Sequence, residues 1–225
     1  MILLSPAWRA AYPGAWVGFL AMRNVSNPEH HDALDQRKEA LEADLRARFA
    51  GKTRNDLAAL PVIQAYTAYY KRFDKTYHVL LQLESVALKG RPIPRVAGLV
   101  EAMFMSELNN QMLTAGHDLD VLKGQVTVGA AIGNERYTLL NSKEQVLAAG
   151  DMYMADQAGV ISSVLHGPDR RTCITPATTS ALFAVYAPVG IGRAAVQQHL
   201  EDIRDNVLLM ASGAEMNLMQ VYDAE

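Results

Sequence analysis

The apolar residues of this 225-residue chain change their spacing partway along it, and that change limits the folds open to it. Up to Gly116 they recur three and four apart, the interval that lines one face of an α-helix. After Gly124 they gather into short runs at Val126 to Val128, Tyr137 to Leu140, Met152 to Met154 and Val160 to Val164. Gly, Asn and Asp separate these runs, as turns separate strands. A further strand over Ala181 to Tyr186 stops at Pro188-Val189-Gly190, and Val196, Leu200, Ile203, Val207 and Met210 describe a closing amphipathic helix. The pattern predicts an α+β fold.

Within the first half, Ala15 to Met22 has the length and aromatic content of a buried strand. Ser26 or Asn27 is placed to cap a helix with Pro28 in its first turn, carrying Leu34, Leu41, Leu45 and Phe49 on one face. Pro61 opens a helical pattern through Tyr66, Tyr69, Tyr70 and Phe73, and another through Val79 to Leu88 is closed by Gly90 and Pro92. A central helix is expected from near Pro94, through Val96, Leu99, Val100, Met103, Phe104, Leu108 and Met112, to a stop at Gly116. The chain reads as one domain over 1–225: an amino-terminal strand and helix (1–60), a core (61–213) and a tail (214–225).

Half the residues are hydrophobic, a fifth are charged, and the net charge is −3. Broad nonspecific binding to nucleic acid needs many phosphates neutralised by Lys and Arg, so any RNA contact is expected to be local and no DNA contact is expected. No apolar run reaches the roughly 20 residues that cross a bilayer, and Arg9 precedes no cleavage-site pattern, so no membrane partner and a cytoplasmic location are expected. The single cysteine, Cys173, excludes an intrachain disulfide framework and a multi-cysteine zinc site, and the six histidines match no metal-ligand spacing. Gly190-Ile191-Gly192-Arg193 lacks the Lys-Ser/Thr ending of a phosphate loop. Neither metal nor cofactor is expected.

Chemistry concentrates after the central helix, in Ala115-Gly116-His117-Asp118-Leu119-Asp120. A neutral imidazole near a carboxylate can orient water and move protons near pH 7, with Asp118 or Asp120 holding the His117 ring. The same residues can instead cap a chain reversal by bonding backbone amides. Cys173, near Arg170 and Arg171, fits a nucleophile or a small buried hydrophobe, and Ser106 lacks a nucleophile elbow. Between Lys71 and Arg95 the bases Lys71, Arg72, Lys75, Lys89, Arg91 and Arg95 outnumber Asp74 and Glu84. Tyr66, Tyr69, Tyr70 and Tyr77 alongside can stack unpaired bases, or pack a helix whose cations keep its outer face soluble. Met103, Met105, Met112, Met216 and Met219 fit either a pliable apolar pocket or the core.

The order of segments carries a resemblance. Lys89-Gly90-Arg91-Pro92-Ile93-Pro94, a helix, Gly116-His117-Asp118-Leu119-Asp120-Val121-Leu122-Lys123-Gly124, then strands resembles the B3/B4 domain of the bacterial phenylalanyl-tRNA synthetase β subunit, which also occurs free-standing. Gly150-Asp151-Met152 before Asp156, the turn Asp169-Arg170-Arg171-Thr172, and Thr178-Thr179-Ser180 leading into Leu182-Phe183-Ala184-Val185 extend it from about Tyr66 to Met210. The resemblance implies a mixed, mostly antiparallel sheet and a pocket that, in the synthetase, hydrolyses tRNA mischarged with tyrosine. It implies a tRNA or aminoacyl-tRNA end as partner, with His117 matching the editing-site histidine of a His-x-x-Asp segment. His117, Asp118 and Asp120 are then the catalytic candidates. Ser106, Asn109 or Asn110 would stand for the central-helix asparagine, and Arg91, Arg95, Arg170 and Arg171 are further substrate-binding candidates. The synthetase's tyrosine-reading glutamate has no assigned counterpart. The alternatives are a non-catalytic RNA- or protein-binding module and a pocket for a free amino acid or related metabolite.

Overall fold

A computed structural model describes residues 2–224. The chain begins with β1 (Ile2–Leu4) and α1 (Pro6–Ala11), the latter started by Ser5, whose side chain accepts from the Trp8 N–H, and by Pro6 at its first position. After β2 (Trp16–Arg23) come α2 (Asp32–Arg48), α3 (Arg54–Ala58), α4 (Pro61–Lys71), α5 (His78–Leu83) and the central helix α6 (Gly98–Asn110). The strands β3 (Thr114–Asp118), β4 (Val126–Ala130), β5 (Arg136–Thr138), β6 (Glu144–Val146), β7 (Met152–Asp156), β8 (Gly159–Ser163), β9 (Gly167–Pro168) and β10 (Ser180–Ala187) follow. Then α7 (Arg193–Met210) and β11 (Glu215–Asp223) close the order. The expected α+β class and mostly antiparallel, mixed sheets are what the chain forms.

One sheet runs β11-β2-β10-β3, antiparallel throughout. β2 and β10 lie inside it, and their near-continuous apolar runs are buried along almost their whole length. The helices α6 and α7 pack on this sheet. At Gly18 a Cβ would come within 2.6 Å of Val196 Cγ1, so the glycine allows α7 to lie directly on β2. The second sheet runs β1-β4-β7-β8-β9, parallel only between β1 and β4. Ser162 of β8 and Tyr186 of β10 share a 2.8 Å hydrogen bond that joins the two sheets. The four tyrosines of the Lys71–Arg95 neighbourhood, Tyr66, Tyr69, Tyr70 and Tyr77, are all buried. They form the core contact rather than a stacking surface, with Tyr66 and Tyr77 stacked at 4.4 Å between ring centroids.

Several boundaries differ from those the sequence predicts, among them the start of the central helix, expected near Pro94 and found at Gly98, which leaves Val96 exposed ahead of it. The helix α2 begins at Asp32, with His31 at its cap position and no side-chain cap bond. Asn27 is used elsewhere: its Oδ1 accepts from Leu99 N–H at 2.8 Å in the first turn of α6, and its Nδ2 donates to the Thr175 carbonyl. The helix α6 ends at Asn110, not Gly116, because Gln111 takes a left-handed conformation at φ +58°. Gly116 lies mid-strand in β3, opposite Phe183 of β10. A Cβ on it would come within 2.7 Å of Ile174 Cδ1 and 3.0 Å of Met103 Sδ, so glycine is needed there for packing rather than for stopping a helix. Residues 215–223, expected within a tail, are the edge strand β11, paired with β2.

Candidate functional site

Because residues 114–118 are a strand, the His117 segment is not a turn. His117 is fully buried, its Nδ1 2.8 Å from Thr172 Oγ1. Thr172 donates that hydroxyl's proton to Asp169, so His117 Nδ1–H is the donor to Thr172, and Nε2 is buried with no partner. Burial, reinforced by the nearby Arg171 guanidinium, lowers the imidazole to about 3. The ring is therefore neutral at physiological pH and sealed from water. Asp118 is half-buried and caps the 3₁₀ turn Leu119–Val121: its Oδ1 accepts from Asp120 N–H, and its Oδ2 from Thr178 Oγ1 at 2.7 Å. Asp120 faces solvent, 3.5 Å from Arg23. The three do not converge on an accessible point.

The substrate-binding candidates are likewise dispersed. Ser106 is buried between α6 and α7, donating to the Ala102 carbonyl and accepting from Asn206 Nδ2. Asn109 and Asn110 both donate to Asp202 Oδ2 on α7, at 3.3 and 2.7 Å. Arg91 is exposed, and Arg95 is exposed 3.7 Å from Asp35. Arg170 donates to Ser142 Oγ on the surface, whereas Arg171 makes a bidentate pair with the buried Asp156 at 3.0 and 2.8 Å. Cys173 is half-buried, and burial pushes its thiol up, away from a reactive thiolate. Among the described residues no cluster of three or more His, Cys, Asp or Glu could hold a metal, and no helix is long and apolar enough to cross a membrane.

A cleft of about 350 Å³ opens where α6 meets β3 and the segment 163–168. Met103, Leu113, Ala115, Val164, Leu165 and Pro168 supply apolar wall, and Glu107, Thr114, Ser163, Tyr186, His78 and His166 supply the polar groups. Glu107 is buried, and its Oε1 accepts from Thr114 N–H at 2.7 Å. That amide lies on the edge of β3 away from β10, so the carboxyl satisfies a strand edge that would otherwise face the cleft. Desolvation raises the Glu107 carboxyl to about 8. At pH 7 it is mostly the neutral acid, able to donate an O–H as well as to accept. His166 is half-buried, and burial aided by Lys75 lowers its imidazole below the ordinary range, so it too is neutral. The lining thus carries little charge at neutral pH.

Behind the cleft, Thr114 Oγ1 lies 2.7 Å from His199 Nε2 on α7, and His199 Nδ1 lies 3.2 Å from Asn110 Nδ2. Burial lowers His199 to about 4, which keeps this internal bridge uncharged. Outside this cleft, Tyr69 donates to Asp151 Oδ1 at 2.7 Å, and Asp151, fully buried, is raised to about 6. Sequence reasoning missed Glu107, Thr114, His166 and His199. A glutamate on an amphipathic helix ordinarily marks the wet face, and nothing local shows that β3 returns to cover this one.

The sheet pair, the central helix and the cleft between them define a class. A family model described as the B3/4 domain matches residues 66–203, more than half of the chain, and the chain belongs to that family. The phenylalanine–tRNA ligase beta subunit of Mycoplasma genitalium is 32% identical over 69 residues, covering 31% of this chain and 9% of that protein. A crystal structure of an N-terminal fragment of the phenylalanyl-tRNA synthetase beta subunit from Pyrococcus horikoshii is similar with a TM-score of 0.50 at 11% identity. The likeness covers 98% of this chain and 53% of that fragment, and it is one of fold.

Proposed function

We propose that this chain acts on tRNA in the cytoplasm, receiving the aminoacyl end in the Glu107 cleft and hydrolysing the ester of a wrongly attached amino acid. Membership of the B3/4 family and the tRNA-ligase names of its relatives support the partner. The observation that carries the reading is a protonated, buried carboxyl in an otherwise uncharged, largely apolar cleft large enough for an amino-acid side chain. Apolar walls take the side chain, and the Glu107 O–H donates to a polar group that reaches it. His166, neutral and at the cleft wall, accepts a proton from the water whose oxygen bonds to the ester carbonyl carbon. The carbon–oxygen bond to the ribose then breaks, and the proton passes to the departing ribose oxygen. His117 takes no part in these steps because no water reaches its ring. With a net charge of −3, contact with the rest of the tRNA is confined to local groups such as Arg170 and Arg91.

Deacylation of correctly and wrongly charged aminoacyl-tRNAs tests the reading. Selective hydrolysis is expected, slowed about 10²-fold or more by His166→Ala. Absence of hydrolysis across the panel rejects it. A second reading, a binding module without turnover, is favoured by the sealing of His117. It expects tRNA binding that falls on charge reversal at Arg91, with no ester hydrolysis by the wild type.

A further inference from the structure

A second cleft, of about 260 Å³, lies on another side of the molecule, between the end of α1, the middle of α4 and the loop after β10. Its walls are alanines and prolines, including Ala65, Ala68 and Pro188, together with the rings of Tyr12 and Tyr69. Its one charged lining group is Arg72. That guanidinium is held among three rings, 5.3 Å from the Tyr12 centroid, 5.6 Å from Tyr69 and 5.5 Å from Phe73. Such packing fixes a long side chain that would otherwise sample many rotamers. The rings are themselves anchored: the Tyr12 hydroxyl donates to the Gly150 carbonyl and the Tyr69 hydroxyl to Asp151. Arg72 is nevertheless exposed and forms no ion pair among the described residues. A surface cation needs no protein counter-ion. Here, however, the cation is pre-positioned at the wall of an apolar hollow.

We propose that this cleft is a binding site for a small monocarboxylate with an apolar body, the carboxylate on Arg72 and the body between Tyr12, Tyr69 and Pro188. Guanidinium geometry matches a carboxylate through two parallel N–H···O bonds. A single guanidinium neutralises a single negative charge. A phosphate dianion would leave a second charge against alanine, proline and valine walls that offer it no donor. The same chemistry occurs in a free metabolite and in the C-terminus of a peptide. The site is independent of the Glu107 cleft and of any action on tRNA, so either can fail without the other.

Titration of the whole chain with phenylpropionate, followed by methyl and aromatic NMR shifts, tests the proposal. Saturable shifts are expected at Val189 and Ala68, with binding at least about tenfold weaker for the uncharged phenylpropanol and for Arg72→Met, which keeps an apolar stem on an exposed position. Equal binding of the acid and the alcohol, undiminished binding by Arg72→Met, or shifts confined to Ala115 and Val164 of the other cleft would overturn it. A comparison with an N-acetylated tripeptide bearing a free carboxylate separates the two sources: tighter binding of the peptide assigns the anion to a chain terminus, and the reverse assigns it to a free metabolite. Both orders support the site.

Discussion

Glu107 and His117 are both buried titratable groups near one strand, yet their surroundings push them to opposite consequences. In the unfolded chain a glutamate releases its proton near 4.5, whereas in the folded chain Glu107 does so near 8. Between those values only the folded state holds the proton, so this residue's contribution to stability falls as pH rises from about 4.5 to about 8. His117 and His199 act in reverse. Their folded values, about 3 and about 4, lie below the ordinary 6.5, so the unfolded chain alone binds protons as pH falls from 6.5, and stability is lost in that direction. Asp151, raised to about 6, has completed its effect by then. Only above about pH 7.5, where the histidines of the unfolded chain have also lost their protons, does the window up to about pH 8 isolate Glu107 among these groups. Urea midpoints are expected to decline with pH across that window in the wild type and to stay nearly level in Glu107→Gln. A parallel decline in the variant would show that the carboxyl is not the group titrating. None of this was visible in the sequence, where Glu107 is a charged residue in a helical run and His117 has the better-looking neighbours.

The elements show why. The apolar spacing identified β2, the buried faces of α2 and α4, the strand β10 and the helix α7, whose periodic residues mostly face the core. On α6, by contrast, only Leu99 and Leu108 of the expected face are fully buried within the helix, and Glu101, Met105 and Glu107 are buried beside them. The stop of α6 was misplaced because its left-handed residue is Gln111, with no glycine to mark it, while the glycine that does occur serves the packing of Met103 and Ile174 on β3. That six-residue error carried His117 from a buried strand to an imagined open turn. The strand β11 was hidden in the same way, since Glu215 to Asp223 is half-exposed and pairs on only one side. Asn27, taken for a cap of α2, joins α6 to Thr175 across the fold. Asn27→Ala leaves a buried helix-start amide and a carbonyl without partners and is expected to cost about 1–3 kcal/mol in chemical unfolding. A cost near zero would mean that water replaces both bonds. Gly18→Val drives a side chain into Val196 and Leu200 and is expected to destabilise by about 1–3 kcal/mol, with loss of α7 packing seen in near-ultraviolet dichroism.

At the scale of the whole molecule, the two larger sheets and a helical layer leave a cleft whose polar groups come from segments far apart in sequence: Glu107 from α6, Thr114 from β3, His166 from the turn after β8 and Tyr186 from β10. Such a constellation cannot be read from local motifs, because only the closure of β3 against β10 brings it together. The family resemblance is borne out as a family, whose model matches residues 66–203, while the cleft residues come from the geometry alone. The most direct measurement is calorimetric titration with a non-hydrolysable aminoacyl-adenosine amide, comparing the wild type with Leu165→Arg, which places a long cation across the half-buried rim of the cleft. Binding by the wild type that is lost in the variant, while the variant keeps its fold, is the predicted result. Undiminished binding by a folded Leu165→Arg would contradict the assignment of the aminoacyl end to this cleft.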